Sequence, residues 1–249
     1  MRTISAVLAA LLLALAGCSG SDDDTLTVSA AASLKGALTQ YGGEFEDAEA
    51  RFSFAGSDEL AAQIRKGAKP DVFASANTKL PDELYKEGLV EKPVTFAGNR
   101  LVLAVPAEGS DVASLKDVER AGTTLAIGSE TVPVGSYTRA VLAKLPVSES
   151  SKILKNVRSE EPDVAGIVGK LTQGAVDAGF VYISDVRATD GKLKEIELPD
   201  TLQPTVAYGA AVVKGTEHED TAKAFIDGLL DGDGKAALDA AGFEPPPAQ

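Results

Sequence analysis

Leu26-Thr-Val-Ser-Ala-Ala-Ala-Ser-Leu34 decides how this chain is read. Leu26, Val28 and Ala30 alternate as in a half-buried strand, and the run stops at three small residues. Ser33 then stands at the N-cap of a helical pattern carrying Leu34, Leu38, Tyr41 and Phe45. A strand that turns into a helix over so few small residues leaves the first helical N–H groups uncovered. With the positive end of the helix dipole, they form an anion site that needs no charged side chain. Taken alone, the stretch also fits an ordinary strand-to-helix turn. The pattern recurs, however. Arg51-Phe-Ser-Phe54 alternates as a second strand and ends at Ala55-Gly56-Ser57, and Asp58-Glu59-Leu60 opens a helix with Leu60 and Ile64 on one face.

The rest of the composition limits the function classes. The 249 residues suit one large or two modest domains, and aromatic content is 5% with no Trp, so the core rests on Ala, Val, Leu and Ile. Against 37 acids stand 24 Lys plus Arg, a formal charge of -13, which argues against nucleic acid or anionic lipid as the main partner. Any bound anion is therefore held by local geometry against the global field. Residues 1–17 read as an export signal: Arg2, then an apolar run from Ile4 to Ala16, too short to span a bilayer. Leu15-Ala-Gly-Cys18 resembles the lipobox of bacterial lipoproteins, which implies acylation of Cys18, the only Cys. The polar residues 18–25 then form a lipid-anchored tether, placing the protein on the outer face of the cytoplasmic membrane.

Strand and helix patterns alternate along the remainder. Strands are expected at Pro70–Ala74, Asn99–Pro106, Thr124–Ile127, Ile153–Val157, Ala178–Ile183 and Thr205–Val213. Helices are expected at Pro81–Gly88, Ser114–Arg120, Gly135 to about Leu145, from Ser159-Glu-Glu-Pro162 onward, Thr221–Leu230 and Gly234–Ala241. Glu244-Pro-Pro-Pro-Ala-Gln249 reads as a disordered tail. This alternation means an α/β fold with mostly parallel sheets.

Several of these stretches carry a resemblance. Ala30-Ala-Ala-Ser33-Leu34 and Phe54-Ala-Gly-Ser57, followed by Leu60 and Gln63-Ile64, resemble the two serine motifs of bacterial molybdate-binding proteins of ABC importers. Asp71-Val-Phe-Ala-Ser75, Val132-Pro-Val-Gly135, Pro162-Asp-Val164 and Phe180-Val-Tyr182-Ile-Ser-Asp185 follow in that family's order. The resemblance implies a two-lobed, periplasmic-binding-protein-like fold with the ligand cleft between lobes. It divides the chain into lobe one (26–100 and 207–243), lobe two (101–206) and a tail (244–249). The implied ligands of one tetrahedral oxyanion, molybdate or tungstate, are the hydroxyls and N–H groups of Ser33 and Ser57, the N–H groups of Val134 and Val164, and the phenol of Tyr182. An ABC permease and its ATPase are the implied partners of a monomer that needs no cofactor.

Four of the five positions lie at the start of an expected helix, and none is Lys or Arg. Such neutral donors disfavour a protonated anion such as hydrogen phosphate, whose O–H needs an acceptor. Sulfate, thiosulfate or phosphate remain alternative ligands of the same fold, and only cavity size separates sulfate from molybdate. Asp58, directly after a ligand serine, is expected to face solvent in the helix's first turn. An enzyme is disfavoured: the single His218 lies in the acidic segment Glu217-His-Glu-Asp220, and no nucleophile elbow, P-loop or dinucleotide fingerprint occurs.

Overall fold

Apolar strands flanked by helical segments with one greasy face bury those faces by stacking helices on a sheet. The computed structural model describes residues 25–248, in which this happens twice. The export signal and Cys18 lie outside the described residues, and Thr25, placed in the tether by the sequence, already belongs to the first strand.

Among the described residues the strands are β1 (Thr25–Ala31), β2 (Glu49–Ala55), β3 (Val72–Ser75), β4 (Val94–Asn99), β5 (Leu101–Pro106), β6 (Leu125–Gly128), β7 (Val157–Glu161), β8 (Ala178–Tyr182), β9 (Leu193–Glu197) and β10 (Val206–Val212). The helices are α1 (Lys35–Glu44), α2 (Ser57–Arg65), α3 (Lys79–Lys86), α4 (Pro133–Ala143), α5 (Val147–Lys155), α6 (Val164–Thr172), α7 (Ile183–Arg187), α8 (Glu219–Leu230) and α9 (Asp233–Ala240). One sheet has the order β2-β1-β3-β10-β4 and the other β7-β6-β8-β5-β9. These sheets are the centres of lobe one and lobe two.

Each sheet is mixed. In lobe one β1 pairs parallel with β2 and β3, while β10 runs antiparallel between β3 and β4. In lobe two β6 pairs parallel with β7 and β8, and β5 is antiparallel to both β8 and β9. The reversed strand in each lobe is the one that arrives from the other lobe. The first crossing is the single residue Arg100, between β4 and β5, and the second is the segment 198–205 before β10. Strands β5 and β8 are buried almost throughout, as their unbroken apolar runs require in a sheet covered on both faces.

Several expectations are corrected. The run Asn99–Pro106 is two strands in two different sheets, not one, because the chain changes lobe at Arg100. Ile153–Val157 is not a strand: Ile153 is the buried face of α5, and Val157 starts β7. Ser159, Glu160 and Glu161 lie in β7, not at a helix start, and α6 is capped by Asp163, whose carboxylate accepts from the Gly166 N–H at 2.9 Å. Ser114–Arg120 forms only a 3₁₀ turn at Asp117–Glu119. The tail begins later than expected. Glu244 exchanges backbone hydrogen bonds with Gly98, and its carboxylate lies 2.9 Å from Arg100 Nε, so this residue is pinned at the first crossing.

Candidate functional site

Four helices start at the facing ends of the two sheets. In lobe one the chain leaves β1 through a 3₁₀ turn, Ala32–Leu34, that continues into α1, and leaves β2 directly into α2. In lobe two α4 follows β6 and α6 follows β7. Their first-turn amides have no intrahelical acceptors. Ala31, Gly56 and Val132 hold the N-cap places of the 3₁₀ turn, α2 and α4, and none offers a capping side chain.

Those ends enclose one cavity of about 20 Å³. It exceeds the roughly 10–15 Å³ that admits one water and suits a single compact ligand. Ser33, Ser57, Val134, Val164 and Tyr182 all line it, together with Gly56, Asp163, Pro133 and small or apolar neighbours. No Lys or Arg is among the lining residues.

Neither serine is the helix cap that the sequence led us to expect. Ser33 lies inside the 3₁₀ turn and Ser57 is the first residue of α2, so neither hydroxyl bonds its own helix. Ser57 Oγ instead accepts the Ala76 N–H at 3.1 Å, and Ser33 Oγ lies 3.0 Å from the Tyr208 hydroxyl. Val134 is the second residue of α4, whose Pro133 suits the first turn, and Val164 is the first residue of α6. Tyr182 closes β8 with its ring 1% exposed, and its hydroxyl is buried without a hydrogen-bond partner. Leaving such a group unpaired costs about 1–3 kcal/mol, so a phenol that lines a cavity in this state calls for a ligand. Burial holds the Tyr182 phenol well above its ordinary pKa, hence protonated and able to donate.

The lobes meet at the cavity rim. A Cβ built on Gly56 would run into the Pro162 carbonyl of lobe two, so only glycine permits this approach. Gly135 is required for the same reason, since its Cβ would strike the Ser129 and Gly128 carbonyls. Asp58 does not face solvent as expected: its Oδ2 accepts from the Thr131 hydroxyl at 2.6 Å, across the cleft. Sequence reasoning also missed Asp185, whose Oδ2 accepts the Tyr182 N–H at 3.0 Å and fixes the backbone of that residue. Burial pushes the Asp185 carboxyl up to about 7. The Asp-x-x-spacing behind Tyr182, an acid at the third residue of a short helix, was the available signal.

Residues 26–244 match the family described as bacterial extracellular solute-binding protein. The chain belongs to that family. Among its relatives, the molybdate-binding protein ModA of Mycobacterium tuberculosis is 35% identical over 228 residues, covering 89% of this chain and 85% of the relative. The Bacillus subtilis putative ABC transporter substrate-binding lipoprotein YvgL is 31% identical over 254 residues, covering 96% and 95%. The structure of the Azotobacter vinelandii periplasmic molybdate-binding protein superposes with a TM-score of 0.80 at 25% identity, covering 89% of this solute-binding protein and all of its counterpart.

Proposed function

We propose that this solute-binding protein captures molybdate, or tungstate, outside the cytoplasmic membrane and hands it to the permease and ATPase of an ABC importer, without chemical change. The observation that carries the reading is the partnerless Tyr182 hydroxyl, buried at a cavity that four helix N-termini and two serines also face. The ligand set is the hydroxyls of Ser33, Ser57 and Tyr182 with the first-turn amides of Ser33, Ser57, Val134 and Val164. All are neutral donors on rigid elements, which suits a fully deprotonated dianion better than a protonated one. Relatives described as molybdate-binding, at 35% identity over most of the chain, favour molybdate over sulfate. Monomeric action and acylation at Cys18 complete the proposal, the latter in keeping with the lipoprotein description of the Bacillus relative.

Tyr182→Phe tests it by removing one hydroxyl while the ring keeps its place. A hydrogen bond to a charged group is worth ~1.5–3 kcal/mol, so molybdate affinity falls roughly ten- to a hundredfold in titration calorimetry. An unchanged affinity removes Tyr182 from the ligand set.

A further inference from the structure

Behind the cavity, Ser33 is tied to both places where the chain changes lobe. Its Oγ lies 3.0 Å from the hydroxyl of Tyr208, which sits on β10, the strand that returns to lobe one. Tyr208 is fully buried, and its hydroxyl also accepts from the Asn99 side-chain Nδ2 at 3.4 Å. Asn99 is the last residue of β4, immediately before the crossing at Arg100. Its amide has one orientation, because Oδ1 accepts the Arg100 N–H at 2.9 Å. Nδ2 therefore faces Tyr208 on one side and Ser184 Oγ, at 2.8 Å in lobe two, on the other.

These partners set a direction. An amide nitrogen only donates, so the Tyr208 oxygen accepts from Asn99. Burial keeps the Tyr208 phenol protonated. Among the described residues, Ser33 Oγ is the acceptor within reach of that proton. A serine oxygen that receives it turns its own O–H elsewhere, and Ser33 lines the cavity. Ser57 is arranged alike, its Oγ accepting from the Ala76 N–H and its proton left for the cleft.

We infer that Tyr208 and Asn99 are positioning residues of the anion site: the chain from Asn99 Nδ2–H through the Tyr208 hydroxyl to Ser33 Oγ commits the Ser33 hydroxyl to donate into the cleft. The inference rests on the oxyanion reading above and adds the device that enforces it. With one lone pair taken by Tyr208 and its proton directed at the ligand, Ser33 presents its donor side, which suits a bare oxyanion oxygen and not a ligand O–H. Loss of Tyr208's hydroxyl frees Ser33 to turn and accept, which weakens the hold on a dianion and relaxes discrimination against a protonated one.

The test is a double-mutant cycle on the purified protein, titrated calorimetrically with molybdate and with inorganic phosphate at one pH. Tyr208→Phe lowers molybdate affinity about five- to tenfold, within the usual coupling of contacting residues. It also narrows the preference for molybdate over phosphate. In a Ser33→Ala background the same change has no further effect on molybdate, because the group it acts through is gone. Equal losses in both backgrounds, or no loss in the single variant, overturn the inference while leaving the oxyanion reading intact. A wild-type protein that binds neither molybdate nor tungstate overturns that reading, and the inference falls with it.

Discussion

Lobe one faces the cavity with two serines, each supplied with a hydrogen bond from behind, whereas lobe two faces it with the phenol of Tyr182 and, at its two helix starts, with Val134 and Val164, whose side chains have no polar atom. Yet both sheets have the same arrangement: a parallel trio, one reversed strand from the opposite lobe, and a last strand beyond it. The sequence shows no repeat that would reveal this. The shared topology places helix N-termini at the cleft in both halves, so the backbone donors come with the fold. What distinguishes the halves is whether the residue at the helix start adds a side-chain donor to its amide. At the helix starts of lobe two a side-chain change tests shape, and only removal of an amide tests binding.

The largest expected effect comes from parting the lobes. Gly56→Ala sets a methyl against the Pro162 carbonyl, holding lobe two away from a ligand seated on lobe one. Loss of the two lobe-two amides at ~1.5–3 kcal/mol each lowers molybdate affinity at least roughly a hundredfold. The melting temperature of the ligand-free protein stays within a few degrees, since each lobe keeps its own core. An affinity that survives Gly56→Ala means that closure at this point is not needed.

Val164 allows amide and side chain to be separated. Proline is accepted at the first position of a helix, and the preceding Asp163 is already extended, with φ -156 and ψ 174. Val164→Pro therefore deletes one N–H and leaves α6 in place. Affinity drops roughly ten- to a hundredfold, while Val164→Ala stays within about threefold of wild type. Equal losses in the two variants would make Val164 a side-chain contact rather than an amide donor.

A further effect concerns stability, not affinity, and has a fixed sign. The Asp185 carboxyl titrates at about 7 in the folded protein against 3.8 ordinarily, because burial penalises the ion. The folded state thus binds more protons than the unfolded state between those values, and stability from this group falls as pH rises from about 4 to 7. Above pH 7 the loss is complete, at an upper limit of roughly 4 kcal/mol. Asp185→Asn keeps a carbonyl for the Tyr182 N–H and carries no charge, so its melting temperature gains on wild type as pH rises. Parallel pH profiles for the two proteins would show that Asp185 is not buried as an ion.

Much of this was legible in the sequence. The runs around β1, β3, β6, β8 and β10 are apolar, bounded by small or turn residues, and therefore readable; so were the helices that follow β1 and β2. The five proposed ligand residues stand on one cavity because they sit at strand-to-helix junctions, which sequence marks well. Other features were settled by partners distant in the chain. β4, with Thr95 and Gly98 in its run, pairs with β10 more than a hundred residues later. The apolar pair Ile153 and Leu154 looks like a strand, but only Ile153 is buried and Leu154 is 46% exposed on a helix. Ser33 and Ser57 read as caps because a cap is a local event, whereas Tyr208 and the Ala76 amide, which actually engage them, lie 175 and 19 residues away. Asp58 turned to Thr131, 73 residues on, for the same reason.

The most direct measurement is calorimetric titration of the purified protein with molybdate, repeated in the presence of excess sulfate and of excess phosphate. The account predicts one molybdate per chain, displaced by tungstate and left in place by phosphate, because the proposed ligand set consists of neutral donors turned toward the anion. Absence of binding, or displacement by phosphate as readily as by tungstate, would contradict it.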